Sequence, residues 1–279
     1  MIKMETILIT GASGFIGKNV VEYFQDNYIL ITPKHKDLDF TDEKQVKKFF
    51  KNNKVDYIIH LAAVGARRNI QQLNTISDNL AMFLNLSRYQ KYYKRMIVMG
   101  SGAEYDKRTS IYNVKENETK FPEHPYDISK YYIGQYIKGQ SKKIILLRGF
   151  GIYGKYEDNT VRFISNIIKG ALKGTINVNN PRAKFDYIWV KDLCKIFDYF
   201  LYAKLKYNIY NVGSGTCYSL LEIAQLIQKC VNSKANINVC DIGDGNCFVP
   251  DISRLKSETP WLKYKTLEEG IKILVEWYK

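Results

Sequence analysis

The chain has 279 residues, 46% of them hydrophobic, enough to bury a substantial core as one large domain or two joined ones. Lysine and arginine outnumber aspartate and glutamate 42 to 28, and the resulting charge of +14 favours anionic partners; yet lysines such as Lys47, Lys48, Lys54, Lys263 and Lys265 are scattered, with no basic and aromatic patch for nucleic acid. No run of about 18 apolar residues predicts a membrane span, no basic-then-apolar leader precedes the first strand, and the five cysteines form no CxxC pair, so a cytoplasmic protein with reduced thiols and no metal site is expected.

The apolar run Thr6-Ile7-Leu8-Ile9 predicts a first strand, and the amphipathic stretch beyond Gly17 predicts a first helix. Between them Thr10-Gly11-Ala12-Ser13-Gly14-Phe15-Ile16-Gly17-Lys18 places three glycines at a spacing of three. Such a turn leaves the strand sharply, approaches a ligand closely and seats the helix on the sheet with its N-terminus facing phosphates. Gly11, Ser13, Gly14, Phe15, Ile16 and Gly17 are therefore the expected contacts to a dinucleotide; a glycine loop without a ligand is the plainer alternative.

Tyr28 to Thr32 predicts a second strand, which ends in the basic Thr32-Pro33-Lys34-His35-Lys36. An acidic residue at this point meets the ribose hydroxyls of NAD, whereas a cation accommodates the 2′-phosphate of NADP. NADP(H) is thus expected over NAD(H), with Lys36 as first candidate and Lys34 and His35 beside it, unless these are simply exposed loop lysines. Asp39 lies where a side chain could reach the adenine amino group, and Asp42 suits a helix cap before Glu43.

Val55 to Leu61 predicts a third strand running into Ala62-Ala63-Val64-Gly65, small residues against which a cofactor can lie, so Leu61, Ala62 and Ala63 join the cofactor set. A helix is expected from Asp78 to Tyr92 and a fourth strand over Arg95 to Met99, followed by Gly100-Ser101-Gly102-Ala103-Glu104-Tyr105. After Pro125 come Tyr126-Asp127-Ile128-Ser129-Lys130, where Tyr126 and Lys130 at i and i+4 share one helix face. An ammonium near a phenol lowers the phenol pKa from about 10 and fits it for acid or base work near neutrality. Ser101 offers a hydroxyl to a substrate oxygen, and Asp127 and Ser129 are expected as helix-surface or supporting positions. Ile144 to Arg148 predicts a fifth strand, and residues from about 159 to 170 a further helix.

In this order the glycine turn, His60-Leu61-Ala62-Ala63, Asn79, strand-end Ser101 and Pro125-Tyr126 with Ser129-Lys130 resemble the extended short-chain dehydrogenase/reductases, the group of sugar-nucleotide epimerases, dehydratases and reductases. The resemblance continues through Arg148 to Gly154, Phe185 to Asp192, Asn211 to Gly215, Asp251 to Lys256 and Leu267 to Gly270. It implies an α/β fold: a Rossmann-like doubly wound parallel sheet with a smaller, interlocked C-terminal substrate domain. Residues 1–150 plus about 181–211 would bind NADP and about 151–180 plus 212–279 the substrate, with the site at the carboxyl ends of the strands. It also implies Ser101, Tyr126 and Lys130 as catalytic residues, the latter two also touching the cofactor, and Ser101, Gly102, Ala103, Gly151, Arg182 and Lys184 as substrate contacts.

Departures from the family pattern narrow the chemistry. Gly151 stands where the family carries asparagine, and Phe185 replaces an arginine whose anion contact Arg182 or Lys184 would take over, unless both are loop charge. The 4,6-dehydratases place Asp and Glu directly after the serine, where this chain has Gly102 and Ala103. The GDP-fucose synthases carry a cysteine at the Ala103 position and a histidine on the next substrate helix, but the histidines here are His35, His60 and His124. The resemblance therefore implies an NADPH-dependent reductase of the C4 carbonyl of a 4-keto-6-deoxy sugar nucleotide, serving deoxysugar or polysaccharide precursor synthesis as a homodimer, without nucleic-acid or membrane partners. An NAD-dependent sugar-nucleotide 4-epimerase using the same triad is the alternative, and a non-catalytic cofactor-sensing or RNA-associated relative a further one.

Overall fold

Short apolar runs alternating with amphipathic stretches fold into parallel strands joined by helices, as a βαβ chain must when each strand is to be buried on both faces. The computed structural model describes residues 4–66, 73–106, 108–139, 143–232, 234–243 and 245–279. In chain order it contains β1 (Thr6–Thr10), α1 (Phe15–Phe24), β2 (Ile29–Ile31), α2 (Glu43–Asn52), β3 (Tyr57–His60), α3 (Thr75–Ser87), β4 (Arg95–Ser101), β5 (Ile111–Val114), α4 (Pro125–Lys138), β6 (Ile144–Gly149) and β7 (Gly151–Tyr153). These are followed by α5 (Phe163–Leu172), β8 (Thr175–Asn179), β9 (Lys184–Trp189), α6 (Val190–Tyr202), β10 (Ile209–Val212), β11 (Cys217–Ser219), α7 (Leu220–Val231), β12 (Asn236–Cys240), β13 (Cys247–Pro250), α8 (Ser253–Glu258) and α9 (Leu267–Tyr278).

The chain divides into two units. The first takes the residues through Asp106, Glu116–Arg148 and Cys194–Tyr210; the second takes the segment ending at Lys115, Gly149–Leu193 and the residues from Asn211 onward. The expected boundary differs in two places. Residues 181–193 belong to the second unit, because β9 pairs there with β7, β11 and β13, and the segment ending at Lys115 joins it as well, because β5 pairs with β13.

The first unit is built on the six-stranded parallel sheet that the sequence leads one to expect, in the order β10-β6-β4-β3-β1-β2. From β1 the chain moves outward to β2 and then returns to place β3 on the other side of β1. The order therefore reverses between β1 and β3, the switch point at whose carboxyl end such sheets bind ligands. Leu8, Ile58, Met96, Val98, Ile144 and Leu146 share one sheet face with Val46 and Phe50 of α2, Phe83 and Leu86 of α3 and Ile133 and Ile137 of α4. Their strand neighbours Ile7, Ile9, Ile59, Ile97, Ile145 and Leu147 are equally buried on the opposite face.

The second unit carries a five-stranded mixed sheet, β11-β9-β13-β5 with β7 also on β9, and the two-stranded parallel pair β12-β8. Its core packs Ile164, Ile167 and Ile168 of α5 against Ile223 and Ile227 of α7 and Ile271 and Leu274 of α9. Helix α5 begins at Phe163 rather than near 159, since the Asp158 carboxylate accepts from the Thr160 amide and hydroxyl and holds a turn there. Asp42 caps α2 as expected, accepting from the Lys44 and Gln45 amides. Among the described residues no helix is long and apolar enough to cross a membrane.

Candidate active site

The glycine turn lies at the switch point. Gly11 has φ +70°, and a Cβ there would fall 2.7 Å from the Ala62 amide nitrogen, so the turn after β1 and the chain leaving β3 meet backbone to backbone. At Gly17 a Cβ would lie 2.2 Å from the Gly11 carbonyl oxygen, which forces a bare residue where α1 leans on the turn. Gly14 is the N-cap of α1, whose first turn, Phe15 and Ile16 included, has neither a side-chain cap nor an acidic residue, and Ser13 is exposed beside it. Such an end suits an anionic diphosphate. Thr10 ties the floor together: its hydroxyl accepts from the Leu61 and Ala62 amides and so donates to His60 Nδ1 at 2.8 Å. Burial pushes the His60 imidazole down to about 3, which makes it a neutral structural residue carrying its proton on Nε2. Ala63 continues this partly exposed strand end.

Beyond β2 the chain makes the basic turn, with Lys34, His35 and Lys36 all exposed and the Asp37 amide donating to the Lys34 carbonyl at 2.8 Å. Asp39 is engaged locally: its Oδ1 accepts from the Thr41 amide and hydroxyl, both at 2.8 Å, and lies 3.8 Å from His35 Nδ1.

Helix α4 brings the Tyr-Lys pair to the end of β4. Pro125 occupies its first turn, where the missing N–H costs nothing, and Tyr126 follows, half-buried. Lys130 is 3% exposed, its ammonium donating to the Met99 carbonyl at 2.9 Å and lying 5.7 Å from the centre of the Tyr126 ring. Burial pushes Lys130 down to about 8, with Glu104 pulling the other way. Ser101 closes β4; its Oγ accepts from the Ala103 amide at 3.1 Å, which leaves the hydroxyl proton to be donated elsewhere. Gly102 and Ala103 are buried in the short 3-10 turn that follows, and neither brings an acid or a base.

Asp127 and Ser129 are not at the helix surface. Both are buried, because α4 packs against α3 as well as the sheet, and Ser129 is a supporting residue whose hydroxyl donates to the Tyr126 carbonyl at 2.7 Å. Asn79 of α3 donates to the Val64 carbonyl and to Ser129 Oγ, each at 3.0 Å, and accepts from the Val64 amide at 2.9 Å. One amide side chain therefore joins the loop after β3 to the helix of the Tyr-Lys pair. The sequence reading passed over the ion pair between Glu104 and Arg148, at 2.7 Å and almost wholly buried. The spacing Ser101-x-x-Glu104, a capping box, marks only the local half of this arrangement, in which Glu104 Oε1 accepts from the Ser101 amide at 3.2 Å.

The remaining candidates lie in the second unit. Gly151 sits in β7 opposite Tyr187, and a Cβ there would fall 2.3 Å from the Asp186 carbonyl, so close strand approach explains the missing side chain. Arg182 is exposed and 3.3 Å from Asp241; Lys184 is exposed at the start of β9. Phe185 joins a row of rings, 5.9 Å from Phe248 and 6.0 Å from Tyr187.

A parallel doubly wound sheet, a glycine turn at its switch point and a serine, tyrosine and lysine around one strand end define a nucleotide-cofactor enzyme of the short-chain dehydrogenase type. The model of the NAD dependent epimerase/dehydratase family matches residues 7–213, and the chain belongs to that family. It is 26% identical to a GDP-L-colitose synthase of Yersinia pseudotuberculosis, over 95% of each chain, and 25% identical to a dTDP-4-dehydro-6-deoxyglucose reductase of Escherichia coli, over 97% of this chain and 96% of that one. Among solved structures it resembles a GDP-mannoheptose C4 reductase from Campylobacter jejuni with NADP bound, at a TM-score of 0.82 and 21% identity, covering 100% of this chain and 99% of that one. A UDP-glucose 4-epimerase from Thermotoga maritima is similar at a TM-score of 0.81 and 22% identity, covering 98% of both chains. These likenesses show the fold, and the relatives are sugar-nucleotide epimerases, dehydratases and reductases.

Proposed function

We propose that this chain is an NADPH-dependent reductase of the C4 carbonyl of a 4-keto-6-deoxy sugar nucleotide, with the first unit holding the cofactor and the second the substrate. The observation that carries this reading is the pairing of Lys130 with Tyr126, tied to β4 at Met99 two residues before Ser101, where the turn that follows supplies no second acid or base from Gly102 or Ala103. Dehydration and 3,5-epimerisation both need such a group; carbonyl reduction does not.

Bound NADPH would supply hydride to C4. Ser101 hydrogen-bonds the carbonyl oxygen, and Tyr126 passes its phenolic proton to that oxygen as the new C–H bond forms. Lys130 makes the phenol more acidic and holds the nicotinamide ribose. The uncapped first turn of α1, with Gly11, Ser13, Gly14, Phe15, Ile16 and Gly17, fits the diphosphate, and Leu61, Ala62 and Ala63 line the strand end. The exposed cations Lys34 and Lys36, with His35 between them, support a 2′-phosphate, and thus NADP over NAD. Gly102, Ala103, Gly151, Arg182 and Lys184 complete the proposed substrate contacts, the two cations meeting the nucleotide phosphates. We also take the protein to act in the cytoplasm as a homodimer; Tyr132 and Tyr136, 47% and 40% exposed on α4, support such a face, and light scattering at micromolar concentration reads it directly.

The test is NADPH oxidation with a panel of 4-keto-6-deoxy sugar nucleotides. Turnover with one of them, weakened at least about tenfold for NADPH but not NADH by Lys36→Glu, is the expected result. Interconversion of UDP-hexoses without net cofactor use, by protein that purifies with NAD, would replace the reductase by a 4-epimerase.

A further inference from the structure

Glu104 is a fully buried carboxylate that the proposed proton and hydride transfers leave unused. Its position is built rather than incidental. Glycines on two elements clear a slot for it, since a Cβ at Gly100 of β4 would fall 2.8 Å from Oε1 and one at Gly134 of α4 would fall 2.6 Å from Oε2. Oε2 accepts from Arg148 Nε at 2.7 Å and Oε1 from the Ser101 amide at 3.2 Å. Arg148 is itself held by further bonds, donating from Nη1 to Tyr105 Oη at 3.0 Å and to the Glu116 carbonyl at 2.7 Å.

We propose that Glu104 is a positioning residue of the reductase site, one carboxylate that supplies the counter-charge for buried Lys130 and anchors the backbone of Ser101. The inference rests on reading Ser101, Tyr126 and Lys130 as the reacting triad. Around Lys130 lie the Tyr126 ring and, one turn earlier on the same helix, buried Asp127, the Met99 carbonyl of β4, neutral His60 of β3, and Glu104, with Arg148 of β6 behind it. The geometry lodges the Glu104 carboxylate between the two elements that Lys130 bridges, against Gly100, next to the Met99 that Lys130 bonds, and against Gly134, one turn along α4 from Lys130. Burial drives the Lys130 proton off and Glu104 opposes this, so without the carboxylate Lys130 turns neutral at a lower pH. Tyr126 then loses the cation that acidifies its phenol, although no atom of Glu104 need touch substrate.

The test separates charge from shape. Glu104→Gln keeps the length and an acceptor for Ser101 but removes the charge; Glu104→Asp keeps the charge and shortens the reach. Lysine labelled with ¹³C at Cε, with Lys130 assigned by its loss in Lys130→Arg, reports the Lys130 titration without any substrate. The Lys130 midpoint should fall by about one pH unit or more in Glu104→Gln and move by less than about half as much in Glu104→Asp. The alkaline limb of kcat for NADPH-driven reduction should move to lower pH by the same amount. An unmoved Lys130 midpoint in Glu104→Gln, or an equal shift in Glu104→Asp, overturns the proposal. A shifted midpoint in a protein that reduces no carbonyl leaves the charge relation standing and overturns the reductase reading instead. If Glu104→Gln does not fold because it strands a buried guanidinium, Glu104→Gln with Arg148→Gln carries the same measurement.

Discussion

Both units bury carboxylates, but they bond them to different partners. In the second unit Asp186 accepts from the Ser214 amide and hydroxyl, each at 2.7 Å, and from the Gly215 amide at 2.8 Å; Asp192 accepts from the Lys265 amide at 2.7 Å; Glu157 accepts from the Ser165 hydroxyl at 2.6 Å. Those acids fix loops and helix ends. In the first unit Glu104 is bonded to a buried cation, Arg148, and in our proposal also serves as counter-charge to Lys130. Burial of an acid is therefore no mark of chemistry by itself. A burial that also holds a cation in its charged state, at the carboxyl end of a parallel strand, is a much better one.

Four experiments break or sharpen that contrast. The largest effect is expected for Tyr126→Phe, which should lower kcat about 10²- to 10⁴-fold with NADPH affinity little changed; near-normal turnover would remove the reactive chemistry from the first unit. Next comes the pH dependence of stability set by Glu157, whose carboxyl burial pushes up from an ordinary 4.5 to about 7. The folded chain keeps this proton after the unfolded chain has lost it, so the contribution to stability is full below 4.5 and lost as pH rises through about 7. That amounts to as much as about 3 kcal/mol by pH 8, and Glu157→Gln should flatten this part of the denaturation profile; parallel profiles would show that Glu157 ionises freely in the folded state.

Gly17→Ala forces a methyl group into the turn and should cost about 1–3 kcal/mol, read from urea midpoints, together with weaker cofactor binding. The smallest change is expected from Arg182→Ala. Its exposed ion pair with Asp241 is worth less than about 0.5 kcal/mol, so stability should hold while KM for the sugar nucleotide rises. An unchanged KM would assign Arg182 to the loop surface alone.

The central sheet was legible because β1, β3, β4 and β6 are uninterrupted apolar runs, and a strand buried on both faces leaves just that trace. The glycine turn and the Tyr126 and Lys130 spacing were legible for the same local reason. The pairing of Glu104 was not legible, because its partner Arg148 lies 44 residues further on and no local period announces it. The second sheet was hidden likewise, since β5 finds β13 far along the chain and neither exceeds four residues. At Gly151 the sequence shows only a missing asparagine; the reason is the β9 backbone lying where a side chain would begin.

The Asn79 bridge bears on how this molecule can be altered. Its amide fastens the Val64 backbone on one side and Ser129 on the other. A redesign of the loop after β3 and a redesign of α4 are thus not independent projects, and paired changes at Val64 and Ser129 should depart from the sum of the single ones. Whoever resizes the loop after β3 will find helix α4 answering.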